Sequence, residues 1–482
     1  MIDLRPVGYV IGLAVAVLGL SMLLPMAVDM LDGNNHWPVF AISGVVSVLI
    51  GVLLAIASAN GTTEGLNIQQ TFLVTTLVWA ALPVFGALPF ALGATEARFV
   101  DAYFEAMSGL TTTGATVFSK LDELPRGLLL WRGLLQWYGG VGIVVVGMIF
   151  LPTLRVGGMQ IFRSEGFDTL GKILPRAGEM ARQIGVVYLL LTVACALSYA
   201  ALGMEPFDAL VHTLTTVSTG GFSTRDVSFG YYQGPLEYVS VIFMVLASLP
   251  FIRFVQLMSG SIQPMFRDVQ VRAYVSLILL FSAMVTIYRI VAHGDHPEHS
   301  FREAIFNITS IFSGTGYSSV DYQLWGPFPV VLFFMVGLIG GCAGSTGCSV
   351  KIFRYQLLWA SIKAQIRKIH SPSGVFVPKY DGRIVPEEVM SSVMAFFTMF
   401  MVVLALLAAA LALTGLDAVT SISGAASALA NIGPGLGDTI GPSGNFGPLN
   451  DTAKWLLIVG MLIGRLELMS VLVLFSISFW RR

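Results

Sequence analysis

Residues 99–117 read FVDAYFEAMSGLTTTGATV, and the fold of this chain follows from how that stretch is read. The acid-alanine pair Asp101-Ala102 stands near the start of about three turns of half-apolar helix. The helix runs into Thr111-Thr112-Thr113-Gly114. It is too short to cross a bilayer, which takes roughly 20 apolar residues. The small hydroxyl residues and the glycine permit a sharp turn that shows backbone carbonyls.

The same pattern recurs three times. Asp208-Ala209 leads to Thr219-Gly220-Gly221-Phe222, Glu303-Ala304 to Gly314-Thr315-Gly316-Tyr317, and Asp417-Ala418 to Asn431-Ile432-Gly433-Pro434. The acid-to-glycine separation is thirteen residues in the first three copies (101–114, 208–221, 303–316) and three longer in the fourth (417–433). A recurrence of about a hundred residues is too long for a solenoid unit and predicts four copies of a small domain. Four short helices ending in glycine hairpins, set among long apolar segments, predict a four-fold ion pore within one chain.

Composition agrees. Of 482 residues 55% are hydrophobic and 11% charged, against about 25% charged in a soluble domain. The fold class is an all-α polytopic membrane protein. A net charge of -1 gives no reason to expect nucleic acid. Cys195, Cys342 and Cys348 are odd in number and form no CxxC pair, so neither a disulfide framework nor a zinc site is expected. His293, His296 and His299 share a loop that reads better as solvated than as metal-binding. One Arg precedes the first apolar run and no small-residue cleavage site follows it, so that run is read as a true span.

Two apolar spans, 7–28 and 38–59, form a preface covering residues 1–66 and lack a glycine hairpin. Four units follow: 67–178, 179–268, 269–386 and 387–482. Each is span, short helix with hairpin, span; the spans are 69–92 and 128–152, 183–203 and 236–259, 273–292 and 328–350, 390–413 and 453–479. That predicts ten full crossings and four half-crossings. With both termini cytoplasmic, most of the 27 basic residues fall inside: Arg5; Arg155, Arg163, Lys172, Arg176, Arg182; Arg253, Arg267, Arg272; Lys351, Arg354, Lys363, Arg367, Lys368, Lys379, Arg383; Arg481, Arg482. The outer segments hold Arg98, Lys120, Arg126, Arg132, Arg225, Arg289, Arg302 and Lys454. This bias orients the chain and opens the hairpins to the outside. Acids around them, Asp101, Glu105, Asp208, Glu303 and Asp417 among them, would concentrate cations at the mouth, or simply gather where basic residues are sparse.

A dehydrated monovalent cation needs oxygens in place of its water, and rings of backbone carbonyls supply them. Turning carbonyls inward takes the chain out of the ordinary backbone regions, which glycine allows. The expected filter residues are Thr112, Thr113 and Gly114; Thr219, Gly220 and Gly221; Gly314, Thr315 and Gly316; Asn431, Ile432 and Gly433. The C-terminal, partly negative end of each short helix favours a cation. Packing glycines are the plainer reading of any one hairpin, but not of four after acid-alanine pairs.

Two features are expected below the filter. GGCAGSTG at 340–347, with Gly340, Gly341, Gly344, Ser345, Thr346 and Gly347, would break the helix there and make a movable intramembrane loop, or else a tight helix crossing. Arg465, in MLIGRLELMSVLVLF, carries a charge at depth and is a functional candidate by default. A structural pairing with Glu467 or with helix carbonyls is the alternative. Basic stretches at 155–182 and 351–383 suit anionic lipid or a soluble partner. No P-loop or GxGxxG follows a strand, so gating control is expected from the membrane potential or another protein.

The four loops Thr111 to Thr116, Ser218 to Ser223, Gly314 to Tyr317 and Asn431 to Gly435 resemble the filter loops of the TrkH family of bacterial potassium uptake proteins. GGCAGSTG resembles that family's gating loop, and Arg465 falls where the family carries its pore arginine. The resemblance covers nearly the whole chain, including the preface that the related KtrB branch lacks. It implies potassium as substrate, no cofactor in this chain, and one pore per subunit of a homodimer in the bacterial inner membrane. It also implies docking on a cytoplasmic, nucleotide-binding TrkA-type regulatory subunit. Four central glycines imply potassium, since a serine in the first loop of this superfamily goes with sodium. Cys348 departs from the pattern, where glycine is expected.

Two other classes compete. A secondary transporter coupling a solute to sodium or protons predicts inverted halves and a midplane pocket; four units of one orientation speak against it. A membrane enzyme needs paired acids, clustered histidines or a nucleophile at depth, which the sequence does not offer.

Overall fold

In hydrocarbon a helix satisfies its own backbone, and the described part of the chain is mostly helical. The computed structural model describes residues 3–61, 66–149, 157–159, 161 and 177–481. Arg155, Arg163, Lys172, Arg176 and Arg482, and the end of the span expected to reach residue 152, lie outside the described residues. Among the described residues the only strands are Lys379–Tyr380 and Arg383–Ile384, a hairpin turning at Asp381-Gly382.

The preface is a helical hairpin, Arg5–Ser21 continued by Leu23–Leu31 against Trp37–Ser58. Its helices approach backbone to backbone. A Cβ at Gly12 would meet Gly51 O, and one at Gly51 would meet Gly12 O, each 2.6 Å away. Small residues permit this closeness, and dispersion between the helices holds it without a hydrophobic drive in lipid.

The four short helices are Phe99–Leu110, Pro206–Val217, Pro297–Ser313 and Ala418–Ala430. Each packs between the helices that flank it in sequence. The packing also runs around a circle. Arg126–Ile149 touches the second short helix, Pro235–Ala247 the third, Pro327–Gly337 the fourth, and Asp451–Arg465 returns to the first. The short helices are buried almost all round, so the core of the molecule is the centre of this circle.

Seven helical segments among the described residues are long and apolar enough to cross a membrane without a sharp bend. The other expected spans are interrupted. The break at 340–347 is present: helix Pro327–Gly337 stops and the chain becomes helical again only at Ile352. Two breaks were not expected. Residues 236–259 divide into Pro235–Ala247 and Phe251–Met258 at 90°, and the last span divides into Asp451–Arg465 and Met469–Phe475 at 105°. Pro250 has no N–H to continue the first of these helices. At the second, Glu467 takes a left-handed φ of 57°.

Candidate functional site

Each short helix ends in a loop with two left-handed residues two positions apart: Thr112 and Gly114, Thr219 and Gly221, Gly314 and Gly316, Asn431 and Gly433. Their φ values lie between 51° and 98°. The loop N–H groups fold back onto the helix. Thr113 donates to Ser108 O at 2.9 Å, Gly220 to Thr215 O at 2.8 Å, Gly316 to Ser310 O at 3.1 Å and Ile432 to Ser427 O at 3.1 Å. Among the described residues no protein donor reaches the carbonyls of Thr112, Thr113, Gly314, Thr315, Asn431 or Ile432, all in buried residues. Buried carbonyls are normally paired. Here the described protein donors pair none of the six.

The loops close a ring. A Cβ on Gly114 would strike the carbonyl oxygen of Gly220, on Gly221 that of Thr315, on Gly316 that of Ile432, and on Gly433 that of Thr113, always under 3.0 Å. Each glycine thus lies against the next loop's carbonyl, and the fourth against the first. A cavity of about 70 Å³ touches all four glycines and opens among Thr116, Arg132, Asp226 and Ser318. The twelve expected filter residues belong to this one assembly.

Side chains brace the ring from behind. The Gln136 amide donates to Gly220 O at 2.6 Å and accepts from Phe222 N–H at 3.0 Å. Arg132, one turn earlier, pairs with Glu105 at 2.8 Å and donates to Ser223 O at 2.7 Å. Glu105 in turn accepts from the Val117 N–H at 2.9 Å. Tyr317 hydroxyl meets Thr215 and Thr216 of the second short helix. Thr111 bonds Thr113, and Ser313 bonds Thr315, both at 2.7 Å. Thr113 and Thr315 hydroxyls therefore pin the loops locally.

The acids that marked the pattern are mostly neutralised. Asp101 pairs with Lys454 at 2.6 Å, Asp208 with Arg225 at 2.9 Å and Glu303 with Arg289 at 2.6 Å. Asp417 caps the fourth helix, accepting from Thr420 N–H, about one turn farther from its loop than the other acids. Hydrogen bonds from Thr420 hold its carboxyl below the ordinary carboxylate range. Arg132, expected in an outer segment, is fully buried within helix Arg126–Ile149. His293 bonds Trp325 O and His299 bonds Glu303; they serve separate contacts.

The 340–347 loop lies against the ring. Cys348, which follows it, has its Sγ 3.9 Å from the Thr112 hydroxyl, and its N–H lies 3.5 Å from where a Gly314 Cβ would stand. Gly340 and Gly344 are left-handed, at 80° and 74°. Ser345 hydroxyl closes on Cys342 O at 2.7 Å, and Gly347 N–H returns to Ser345 at 3.2 Å. Gly341 O accepts from Ile352 N–H at 3.1 Å. The loop is also laced into the break at 247–251. Thr346 hydroxyl donates to Ala247 O at 2.9 Å, Cys342 N–H to Ser248 O at 3.1 Å, and Phe251 N–H to Gly344 O at 2.9 Å.

Arg465, at the end of its helix, is buried and does not pair with Glu467. It donates to Thr346 O at 3.3 Å and Gly139 O at 3.1 Å, and touches Cys348 Sγ. Glu467 instead pairs with Lys351 at 2.9 Å and with Arg354. Sequence reasoning missed Gln136, the Glu105–Arg132 pair and the role of Arg354. One signal was available: Arg132, Gln136, Gly139 and Gly140 form a stripe along one face of an otherwise apolar helix.

Fold and site together define a multi-pass helical membrane protein centred on a circle of loops rich in unpaired carbonyl oxygen. A family model described as TrkH, cation transport protein, matches residues 36–481, and the chain belongs to that family. It is 44% identical over 393 residues to the Trk system potassium uptake protein TrkI of Halomonas elongata, covering 81% of this chain and 80% of that one. It is 36% identical over 486 residues to TrkH of the same organism, covering 100% of both. The crystal structure of the potassium transporter TrkH from Vibrio parahaemolyticus matches with a TM-score of 0.91 at 33% identity, covering 100% of both chains.

Proposed function

We propose that this chain is the membrane subunit of a potassium uptake system and that ions pass through the ring of loops. The observation that carries the reading is the closed circle in which Gly114, Gly221, Gly316 and Gly433 each lie against the next loop's carbonyl. Carbonyls of Thr112, Thr113, Thr219, Gly220, Gly314, Thr315, Asn431 and Ile432, with the four glycines, stand in for the water a potassium ion sheds. The names of the relatives support potassium over other cations.

The 340–347 loop with Arg465 is the gate. It lies beside the first and third loops, and Arg465 adds a buried positive charge there. A cation meeting that charge in a poorly solvated passage is repelled until the side chain moves. The four units at 67–178, 179–268, 269–386 and 387–482 are copies of one element around the pathway. The subunit works as a homodimer in the bacterial cytoplasmic membrane, with both termini inside, under a TrkA-type nucleotide-binding partner. Rubidium or potassium flux into vesicles, with an organic-solute control and with potential and pH varied independently, tests this. Potential-driven potassium flux is the expected result; solute-dependent flux would favour a coupled transporter.

A further inference from the structure

Below the ring, three segments distant in sequence meet at a buried charged cluster. Arg354 is fully buried, Glu467 is 5% exposed and Lys351 7%. Glu467 takes Lys351 at 2.9 Å and also Arg354. The Arg354 guanidinium uses its other donors on Gly157 O at 2.8 Å and Val350 O at 2.7 Å, and lies 3.8 Å over the Phe396 ring. One side chain thus joins segment 157–159, the exit of the 340–350 loop, the helix Ile352–His370 on which it sits, and the bend that follows Arg465.

The backbone at this junction is unusual. Ser349, Lys351 and Glu467 have φ of 68°, 72° and 57°. None is glycine, and residues with side chains enter this left-handed region at a cost. Two of the three are ion-pair members. Val350, held by Arg354, is two residues from Cys348; Glu467 is two residues from Arg465; and Cys348 and Arg465 touch.

We propose that Lys351, Arg354 and Glu467 form a strained latch that positions the 340–350 loop and Arg465 together and carries movement of segment 157–159 and helix Ile352–His370 to both. This rests on the gate reading above. The ion pairs hold backbone that would otherwise relax, so the arrangement has two opposed terms and two accessible states. Loss of the carboxylate releases the loop and the arginine at once. Removal of backbone strain alone has the opposite effect and steadies the closed arrangement.

The test is rubidium flux into vesicles holding the full-length protein, with folding followed by thermal unfolding and elution volume. Glu467→Gln is expected to raise basal flux severalfold with rubidium-over-sodium selectivity unchanged. Ser349→Gly is compared with Ser349→Ala, since both lose the hydroxyl bond to Gly337 O and only glycine loses the strain. The glycine variant is expected to pass about fivefold less ion than the alanine variant. Wild-type flux in a folded Glu467→Gln, or glycine flux equal to or above alanine flux, overturns the latch. If Glu467→Gln does not fold, the Ser349 pair decides alone. Wild-type vesicles that pass no rubidium would overturn the transport reading instead.

Discussion

The Asn431 side-chain amide donates to the Thr113 hydroxyl across 2.9 Å, tying the fourth loop to the first and closing the ring. The same amide donates to Met461 O at 2.9 Å. Asparagine suits this place twice over, because it also tolerates the left-handed φ of 52° it adopts. Asn431→Ala removes both bonds and adds backbone strain, worth about 1–3 kcal/mol at this loop. Rubidium-over-sodium selectivity is expected to fall while the protein stays folded. Wild-type selectivity ratios in the flux assay would remove the fourth loop from the pathway.

Gly114→Ser puts a Cβ into the Gly220 carbonyl at a φ of 83°. The first and second loops must then separate, and the ring widens or deforms. More sodium is expected to pass relative to potassium. The check is growth on limiting potassium together with sodium flux, and an unchanged ratio would contradict the filter assignment.

Arg465→Ala removes a buried charge and its bonds to Thr346 and Gly139. Basal cation flux is expected to rise. A well-folded protein with no flux would make the arginine a structural tie between the loop and helix Arg126–Ile149.

Glu105→Gln leaves Arg132 buried beside a neutral partner. Breaking a buried pair in this way costs about 3–5 kcal/mol. Thermal unfolding in detergent is expected several degrees lower, with selectivity also reduced because Arg132 holds Ser223 O and Glu105 holds Val117 N–H. A melting temperature equal to that of the wild type would show that the pair bears little on the mouth of the ring.

Much of this architecture was written in local pattern. Short half-apolar helices followed by glycine at fixed spacing marked the four loops, because backbone that turns at depth must use left-handed residues and glycine provides them most cheaply. The fourth marker slipped: Asp417 is an N-cap, and Thr420 stands at the thirteen-residue spacing from Gly433. The run of small residues at 340–347 disclosed one break. The bends at 248–250 and 466–468 were missed although Pro250 and the charges of Arg465 and Glu467 marked them, because the apolar runs on either side are together long enough for one span and what stabilises the first bend is hydrogen bonding to the distant 342–346 loop. Glu105–Arg132 and Arg354–Glu467 were missed because they are 27 and 113 residues apart, and no periodicity reports such a pairing.

The circle of short helices is made by one polypeptide, and this has a consequence for control. A pore assembled from four identical chains repeats every side chain four times, so any guanidinium beside its axis would come as a quartet. Here the quarters differ, and Arg465 and the 340–347 loop each occur once. On the gate reading proposed above, a solitary cation is withdrawn by shifting a single bend, without any rearrangement having to happen in step on all sides.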